Sequence, residues 1–434
     1  MIPALHTQQE MLNALHRGAL DAGLRALYAP DSDSGHTAAA ARIRLENLLH
    51  EHLHRYGPRP VGIFSAPGRT ELAGNHTDHN RGVVVAAAVT LDCLAVASAR
   101  ADLRVHLVSA GFARPVDLTL DDLQPRADEK ETPAAIVKGM AAGIHGLMPL
   151  CGFDACVHST VPVGAGLSSS AAFEVLCGRI FSGWHSGYVL TQQTLAALAH
   201  TAESRYFGKP CGEMDQLACA GSGASVIRFG MPQGKNVEAV PVNIAEAGYQ
   251  LAVVNTGGSH ADLTAEYAAI PAEMRRAAAV LGKQQAHGIT AAEVLRHAAA
   301  IRNAAGDRAL LRLLHFAEET QRAEAVAQAL RHNRTQELLR LVNASGDSSW
   351  RLLQNCYPAG ASAQPLPVAL ETTRLQLDGQ GAWRVHGGGF AGTIQVYVPQ
   401  RLMAGYTKCM EQLFGAGCVI PLDIRGSGLH RLLP

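Results

Sequence analysis

Hydrophobic positions change their spacing several times along the chain. Residues 1–55 show the spacing of two amphipathic helices, split by a polar turn at 29–37. Residues 61–110 are rich in apolar and β-branched residues and predict four strands. The most apolar stretch, 82–99, is interrupted by two polar residues, so a buried pair of strands fits it better than a membrane span.

The second half of the pattern mixes helices and strands. Helical spacing occurs at 133–148, 168–184, 191–208 and about 262–345. Strand patterns occur at 153–161, 223–229, 249–256, 382–387, 392–399 and 417–424. These elements predict an α+β fold. A proline-containing stretch at 231–248 predicts an N-terminal domain, 1–235, with a helical extension over 1–55, and a C-terminal domain, 236–434.

Composition narrows the classes of protein. With 434 residues, of which 47% are hydrophobic and 17% charged, the chain suits two or three folded domains. Lys and Arg together number 37, as do Asp and Glu, so charge gives no reason to expect nucleic acid or a membrane as partner. Nine scattered cysteines without a CxxC pair, and no signal-peptide pattern, predict a cytoplasmic protein.

The stretch "PVGAGLSSSAA" lies between a predicted strand and a predicted helix. Gly164 and Gly166 allow a tight turn and close approach of a ligand. The three serines then open a helix, whose free N–H groups attract phosphate. One serine would suffice to cap the helix, so the combination favours a phosphate-binding loop. It is not a Walker A motif, because no Lys-Ser/Thr follows the glycines.

A second glycine cluster, "HGGGFAGT", matches G-x-G-x-x-G through Gly387, Gly389 and Gly392. A dinucleotide fingerprint precedes a helix, whereas this one precedes a strand pattern with about forty residues left. We therefore interpret it as a glycine turn between two strands.

Two further stretches carry chemistry without fixing a role. Glu203 and Asp215 flank a turn, where a lone Asp most often caps a helix. In "ELAGNHTDHN", His76, Asp78 and His79 suit either a metal ion or a molecule rich in hydroxyl groups.

Four stretches together resemble the GHMP small-molecule kinases, and within them the galactokinase family. They are "APGRTELAGNHTDHNRG", "VPVGAGLSSSAAFEV", "FGKPCGEMDQ" and "HGGGFAGT", in family order over residues 66–394. The resemblance implies an S5-like N-terminal domain and a ferredoxin-like C-terminal domain with the active site in the cleft between them. It also implies an ATP-dependent sugar 1-kinase that uses Mg²⁺, with a small-molecule sugar as its partner and a monomeric or small homo-oligomeric state.

The resemblance further implies roles for single residues. Asp215 matches the catalytic aspartate and Arg69 the arginine beside it, both also against the sugar. Ser170 and Glu203 match the Mg²⁺ ligands. The phosphate loop would comprise Gly164, Ala165, Gly166, Leu167, Ser168, Ser169 and Ser170, and the other sugar contacts would be Asn75, His76, Asp78, Gly212 and Tyr267.

The first motif departs from the family pattern. Galactokinases usually have "GEHTDY", with Glu at the position of Asn75 and Tyr at that of His79, and usually have Asn at the position of Glu71. The missing Glu contacts the C6 hydroxyl in the family. A neutral Asn75 would not repel a carboxylate at C6, and plant galacturonate kinases look similar here. We expect galactose as the substrate, with galacturonate or another galacto-configured sugar as the alternative.

Two other classes remain open. A catalytically dead sugar sensor could share this fold, although the serine loop, Arg69 and Asp215 are intact. A metalloenzyme using His76, Asp78 and His79 is disfavoured, because neighbouring loop positions rarely converge on one ion.

Overall fold

The computed structural model describes residues 6–28, 37–185, 190–209, 211–231, 234–258, 263–426 and 431–432. Most of the predicted polar turn at 29–37, and Pro210 of the "FGKPCGEMDQ" stretch, lie outside the described residues.

Within those residues the strands are β1 (His6–Thr7), β2 (Pro60–Ala73), β3 (Val83–Ala99), β4 (Arg104–Ser109), β5 (Val116–Thr119), β6 (Phe153–Ser159), β7 (Ala224–Met231), β8 (Gly234–Val240), β9 (Tyr249–Asn255), β10 (Ala382–His386), β11 (Thr393–Pro399), β12 (Val419–Leu422) and β13 (Arg431–Leu432). The α-helices are α1 (Gln8–His16), α2 (Asp21–Leu27), α3 (Ala38–Tyr56), α4 (Pro133–His145), α5 (Ser169–Ser182), α6 (Gln192–Thr201), α7 (Met214–Ala220), α8 (Thr264–Val280), α9 (Ala291–Arg296), α10 (Ala298–Ala305), α11 (Asp307–Arg331), α12 (Thr335–Ser348), α13 (Pro365–Leu377) and α14 (Met403–Phe414). Short 3₁₀ turns cover Asp78–Asn80, Ala127–Glu129 and Gln400–Leu402, and π-helical segments cover Ala202–Phe207 and Ser349–Leu353.

The larger sheet is built around the long strand β3. Its path runs β1-β2-β3-β6-β4-β5, with β7 beside β3, β8 beside β7, and β13 beside β2. The described pairings are antiparallel except that of β4 with β6, which is parallel. All but the last residue of β3 are buried, as expected for a strand covered on both faces.

The smaller sheet has four strands in the order β10-β11-β9-β12, all antiparallel where described. Val385, Ile394 and Val396 contribute to a separate core between this sheet and α13 and α14. The larger core spans both halves, since residues of α11 and α12 pack into it. Mixed helices and sheets confirm the α+β prediction.

Several sequence predictions need correction in detail. The pair of strands expected at 82–99 is one continuous strand, because the polar residue inside it, Asp92, is buried against Arg44 instead of turning outward. The N-terminal extension contains three described helices, not two. The predicted domain boundary at 235/236 falls inside β8, which pairs with β7 of the larger sheet. The division into domains itself stays a prediction.

Buried polar contacts fasten both ends of the chain to the larger sheet. Tyr28, at the end of α2, is 2% exposed and donates to Asp92 at 2.5 Å. Arg44 of α3 donates to the other oxygen of Asp92 at 2.8 Å. Near the C-terminus, Arg425 donates to Ser65 at 2.9 Å. The extension is therefore an integral part of the fold. In the described part of the chain, no helix combines the length and apolar character needed to cross a membrane.

Candidate active site

The glycine–serine loop turns sharply between β6 and α5. Gly164, Gly166 and Ser168 all have positive φ, at 77°, 67° and 58°. A Cβ at Gly166 would lie 2.8 Å from the Thr393 side chain, so glycine is required there, whereas the same test at Gly164 meets only open space. The side chains of Ala165 and Leu167 are buried, whereas Gly164 is exposed and the three serines are partly exposed.

Ser168 does not cap the helix that it precedes. It stands at the N-cap position of α5 without a capping hydrogen bond, and its hydroxyl instead donates to Oδ2 of Asp215 at 2.5 Å. The first N–H groups of α5 are thus not taken up by this side chain. An ordinary N-capping serine would bond the helix backbone, whereas Ser168 bonds a carboxylate.

Arg69 joins the loop to Asp215. Its Nε donates to Asp215 Oδ1 at 2.8 Å and its Nη2 lies 2.7 Å from the same oxygen. Its Nη1 donates to the carbonyl of Gly166, and its backbone N–H donates to that of Leu167 at 3.1 Å. One arginine thereby fixes a carboxylate and two successive parts of the loop.

The sequence of β2 explains why Arg69 reaches that point. The register with β3 shifts between Pro67 and Arg69, and such a bulge redirects the following side chain. A Cβ at Gly68 would lie 2.8 Å from the Leu167 carbonyl, so only glycine allows β2 this close to the loop.

Asp215 is held in its charged form. Burial would raise the pKa of its carboxyl, but Arg69 and the hydrogen bond from Ser168 outweigh burial and leave the pKa below its ordinary value. Asp215 also lies in the first turn of α7, where the helix dipole favours a negative charge.

Glu203 lies in a second acidic position beside the loop. It is 1% exposed and belongs to the π-helical segment after α6. Its Oε1 accepts from Ser170 at 3.0 Å and from Lys209 at 3.0 Å, and its Oε2 accepts from Gln216 at 2.6 Å. The predicted Mg²⁺ ligands Ser170 and Glu203 are thus adjacent. A hydroxyl and a carboxylate are ligands that Mg²⁺ accepts when water and phosphate complete its shell.

The predicted sugar loop, residues 71–80, meets the segment that carries Asp215 through Asp78 and Gly212. A Cβ at Gly212 would lie 1.8 Å from Oδ2 of Asp78, so the contact exists only with glycine. A cavity of about 470 Å³ is lined here by Asp78, His79, Arg81, His200, Gly212 and Gln285, among others. Residues far apart in sequence therefore converge on one concave surface.

The remaining predicted sugar contacts meet a single glycine turn, Gly387–Gly389. Asn75 Nδ2 donates to the Gly387 carbonyl at 2.7 Å. His76 Nε2 lies 2.9 Å from the Gly388 carbonyl, and the Tyr267 hydroxyl donates to that of Gly389 at 2.8 Å. Three successive carbonyls thus each accept from a different predicted sugar residue. The turn connects β10 to β11, as interpreted from the sequence.

Asn75 is enclosed by protein. It is 1% exposed, and its Nδ2 also lies 3.3 Å from Glu71 Oε1. Its Oδ1 accepts from Asn355 at 2.8 Å. Direct contact between Asn75 and a sugar stays a prediction, but the amide groups in this structure face the protein.

The histidines of this loop do not form a metal cluster with their neighbours in the structure. His79 Nε2 lies 3.8 Å from Asp78 Oδ1, while the ring of His76 bonds the glycine turn. Over the residues that are described, no group of three or more His, Cys, Asp or Glu side chains is arranged to hold an ion.

Sequence reasoning missed several residues of the site. Lys209 and Gln216 hold Glu203, and both stand in the quoted "FGKPCGEMDQ" stretch, so their position near Asp215 was a usable signal. Arg384 and Asn355, which hold Glu71 and Asn75, gave none, because they come from distant segments and lie close only after folding.

Known proteins match the chain along most of its length. The galactokinase galactose-binding signature matches residues 50–99, and the GHMP kinase N-terminal domain matches residues 135–223. A galactokinase of Streptomyces coelicolor is 33% identical over 83% of this chain and 90% of its own length. One of Actinobacillus pleuropneumoniae is 29% identical over 79% and 87%.

The fold has solved counterparts. The structure of Lactococcus lactis galactokinase complexed with galactose aligns with a TM-score of 0.75, at 23% identity, over 88% of this chain and 98% of that one. The predicted GHMP kinase fold is confirmed by this likeness. Taken with the matches in sequence, it shows that the chain belongs to the galactokinase family of GHMP kinases.

Proposed function

We propose that this protein transfers the terminal phosphoryl group of ATP to the C1 hydroxyl of galactose. The observation that carries the proposal is the contact of Arg69 and Ser168 with the two oxygens of Asp215. Membership of the galactokinase family and the match to its galactose-binding signature support the same reaction.

Asp215 would orient the sugar hydroxyl and accept its proton. A carboxylate with a lowered pKa is a weak base, so the proton would move late, as bond formation to phosphorus makes the hydroxyl more acidic. Arg69 keeps the carboxylate ionised and directs it, and Ser168 restrains the second oxygen. Positioning of this kind is the main means by which proteins accelerate phosphoryl transfer.

The residues beside the loop fit Mg²⁺ and ATP. The backbone of the glycine–serine loop and the first N–H groups of α5 would hold phosphate oxygens. Ser170 and Glu203 would supply two oxygen ligands to the ion, and Lys209 lies against the same carboxylate. When bound, ATP supplies the phosphoryl group and Mg²⁺ neutralises its charge.

A sugar with a carboxylate at C6 is a second candidate substrate. The residue at position 75 is a neutral amide that faces the protein, so it presents no charge to a uronic acid, whereas a glutamate in contact with the sugar would repel one. Arg81 is exposed and lines the cavity beside Asp78 and Gly212. Galacturonate is therefore the alternative substrate to compare with galactose.

A sugar panel tests the proposal. ADP release is measured with galactose, galacturonate, N-acetylgalactosamine, glucose and arabinose, with ATP and Mg²⁺ in excess. We expect the highest kcat/KM with galactose. A higher value with galacturonate would assign the second candidate, and sugar-independent ADP release across the panel would contradict kinase activity.

We also propose that the protein works in a reducing compartment such as the cytoplasm. Its nine cysteines are all free thiols, and Cys93, Cys156, Cys177 and Cys219 are buried inside the larger sheet and its helices. Burial raises the pKa of the Cys93 thiol to about 12, which keeps it protonated and unreactive.

A further inference from the structure

The glycine turn Gly387–Gly389 is fixed from several sides at once. Besides the bonds from Asn75, His76 and Tyr267, its Gly388 carbonyl accepts from Asn355 Nδ2 at 3.1 Å. The turn also lies close to the phosphate loop, because a Cβ on Gly387 would be 3.7 Å from Gly166. The turn therefore lies beside the phosphate loop, whereas its hydrogen bonds from Asn75, His76 and Tyr267 come from predicted sugar contacts.

A buried charge lies directly behind Asn75. Glu71 is 2% exposed, and its Oε1 accepts from Arg384 Nη2, an arginine that is itself fully buried. The same Oε1 lies 3.3 Å from Asn75 Nδ2. The guanidinium of Arg384 and the amide of Asn75 thus both contact Oε1 of Glu71. The same amide nitrogen also donates to the Gly387 carbonyl.

We propose that Glu71 and Asn75 form one coupled pair that controls sugar binding indirectly, with Glu71 fixing the amide of Asn75 and Asn75 fixing the glycine turn. Asn75 is then a positioning residue in this chain. The inference rests on the proposed sugar kinase function, since it assigns the pair to the sugar site of that enzyme.

The order of residues in this pair is the reverse of the usual family pattern, which has Asn at position 71 and Glu at position 75. Both orders supply one carboxylate and one amide at these two positions. Arg384 and Asn75 contact the same carboxylate oxygen, so a glutamate at 75, one methylene longer, would reach Arg384. A single carboxylate is thus expected to be tolerated at position 71 or at position 75. Two carboxylates, or none, are expected to be unfavourable.

Each single exchange breaks this balance. Asn75→Glu puts two buried carboxylates against one guanidinium and removes the donor to Gly387. Glu71→Asn leaves Arg384 buried without its counter-ion. The double exchange Glu71→Asn with Asn75→Glu restores one carboxylate, one amide and one guanidinium.

A double-mutant cycle tests the pair. The four proteins are compared for Tm without ligand, for KM of the sugar that the wild type phosphorylates best, and for KM of ATP. Glu371→Asn is the matched control, because it removes a glutamate from Arg374 on the exposed face of α13; it is expected to leave all three quantities unchanged.

We expect each single exchange to lower Tm by about 5 °C and to raise the sugar KM about tenfold, with the ATP KM unchanged. In the double exchange the sugar KM should return to within about threefold of the wild type. Losses that simply add would overturn the proposal. So would an unchanged sugar KM in a single variant whose Tm falls, because that result indicates a structural role only.

A single variant that is insoluble also allows the coupling of Glu71 and Asn75 to be tested. If a single variant does not fold, a soluble and active double variant supports the coupling, and an insoluble one contradicts it. Asn75→Asp, which removes the N–H donor to Gly387 without changing the size of the side chain, should also raise the sugar KM, and an unchanged sugar KM in this variant would contradict the proposal. The choice of sugar is made on the wild type, so a failure of galactose as substrate is recorded separately from a failure of the pair.

Discussion

Arg69 and Asp215 stand 146 residues apart in the chain and form a two-point contact, with Arg69 Nε and Nη2 at 2.8 and 2.7 Å from one carboxylate oxygen. The same arginine bonds the Gly166 carbonyl of the phosphate loop. Arg69 therefore connects the Asp215 carboxylate, proposed to accept the sugar proton, to the loop proposed to hold phosphate.

Replacing this arginine should change the pH dependence of the reaction. Arg69 lowers the pKa of Asp215, so Arg69→Met should raise that pKa. Because the ionised carboxylate is the proposed active form, the acidic limb of the kcat/KM profile should move to higher pH. Arg69→Lys keeps the charge and should keep most of the wild-type profile. Identical acidic limbs in wild type and Arg69→Met would show that Arg69 does not set the ionisation of Asp215.

A methyl group at Gly212 should displace Asp78. Its Cβ would lie 1.8 Å from Asp78 Oδ2, so Gly212→Ala must move either the carboxylate or the backbone. A displacement near 1 Å at a substrate contact is expected to reduce kcat/KM for the sugar by about 100-fold. Gly405→Ala is the control, because a Cβ there meets open space within α14. Unchanged sugar kinetics in Gly212→Ala would remove Asp78 from the substrate site.

Glu203 should determine the Mg²⁺ requirement. Glu203→Gln keeps the shape of the side chain but removes the negative charge to which Ser170 and Lys209 donate hydrogen bonds. The Mg²⁺ concentration for half-maximal rate is expected to rise at least about tenfold, with an unchanged Kd for the sugar alone. Glu246→Gln, at an exposed position, serves as the control. An unaltered Mg²⁺ titration would mean that the ion is bound elsewhere.

Replacing Glu319 should destabilise the sugar loop. This buried carboxylate accepts from the Gly74 N–H at 3.0 Å and from Ser345 at 2.6 Å. Burial alone would raise the pKa of Glu319, but Arg322 and other nearby cations lower it to about 2.

Since the folded pKa lies below the unfolded one, the charge stabilises the fold by roughly 3 kcal/mol above pH 5, and this contribution declines as pH falls toward 2. Urea unfolding of wild type and Glu319→Gln should therefore show a gap in free energy that is larger at pH 7 than at pH 4. A gap independent of pH would show that the charge of Glu319 contributes nothing.

The sequence predicted those features that depend on local pattern. The glycine–serine loop, the turn at Gly387–Gly389 and most strands follow from residue spacing and from residues that few other conformations accommodate. The single strand at 82–99 was missed because the break expected at Asp92 is removed by Arg44 and Tyr28, which are brought to it by tertiary packing.

Partners from distant segments could not be predicted in the same way. Asn75 was expected at the sugar, and only the folded chain shows Glu71, Asn355 and Gly387 around its amide. A motif states which residue types are present, whereas the direction of a buried amide depends on groups more than two hundred residues away. The assigned roles at the site remain predictions that the variants above test.

The most direct test of the account compares wild type with Asp215→Asn. Each protein is incubated with ATP, Mg²⁺ and galactose, and the products are identified by ³¹P and ¹H NMR. Wild type is predicted to form ADP and a sugar phosphorylated at C1 in equal amounts, whereas Asp215→Asn, still folded and still binding ATP, should be slower by about a thousandfold. Phosphorylation at another carbon, or comparable turnover by Asp215→Asn, would contradict the proposed site and reaction.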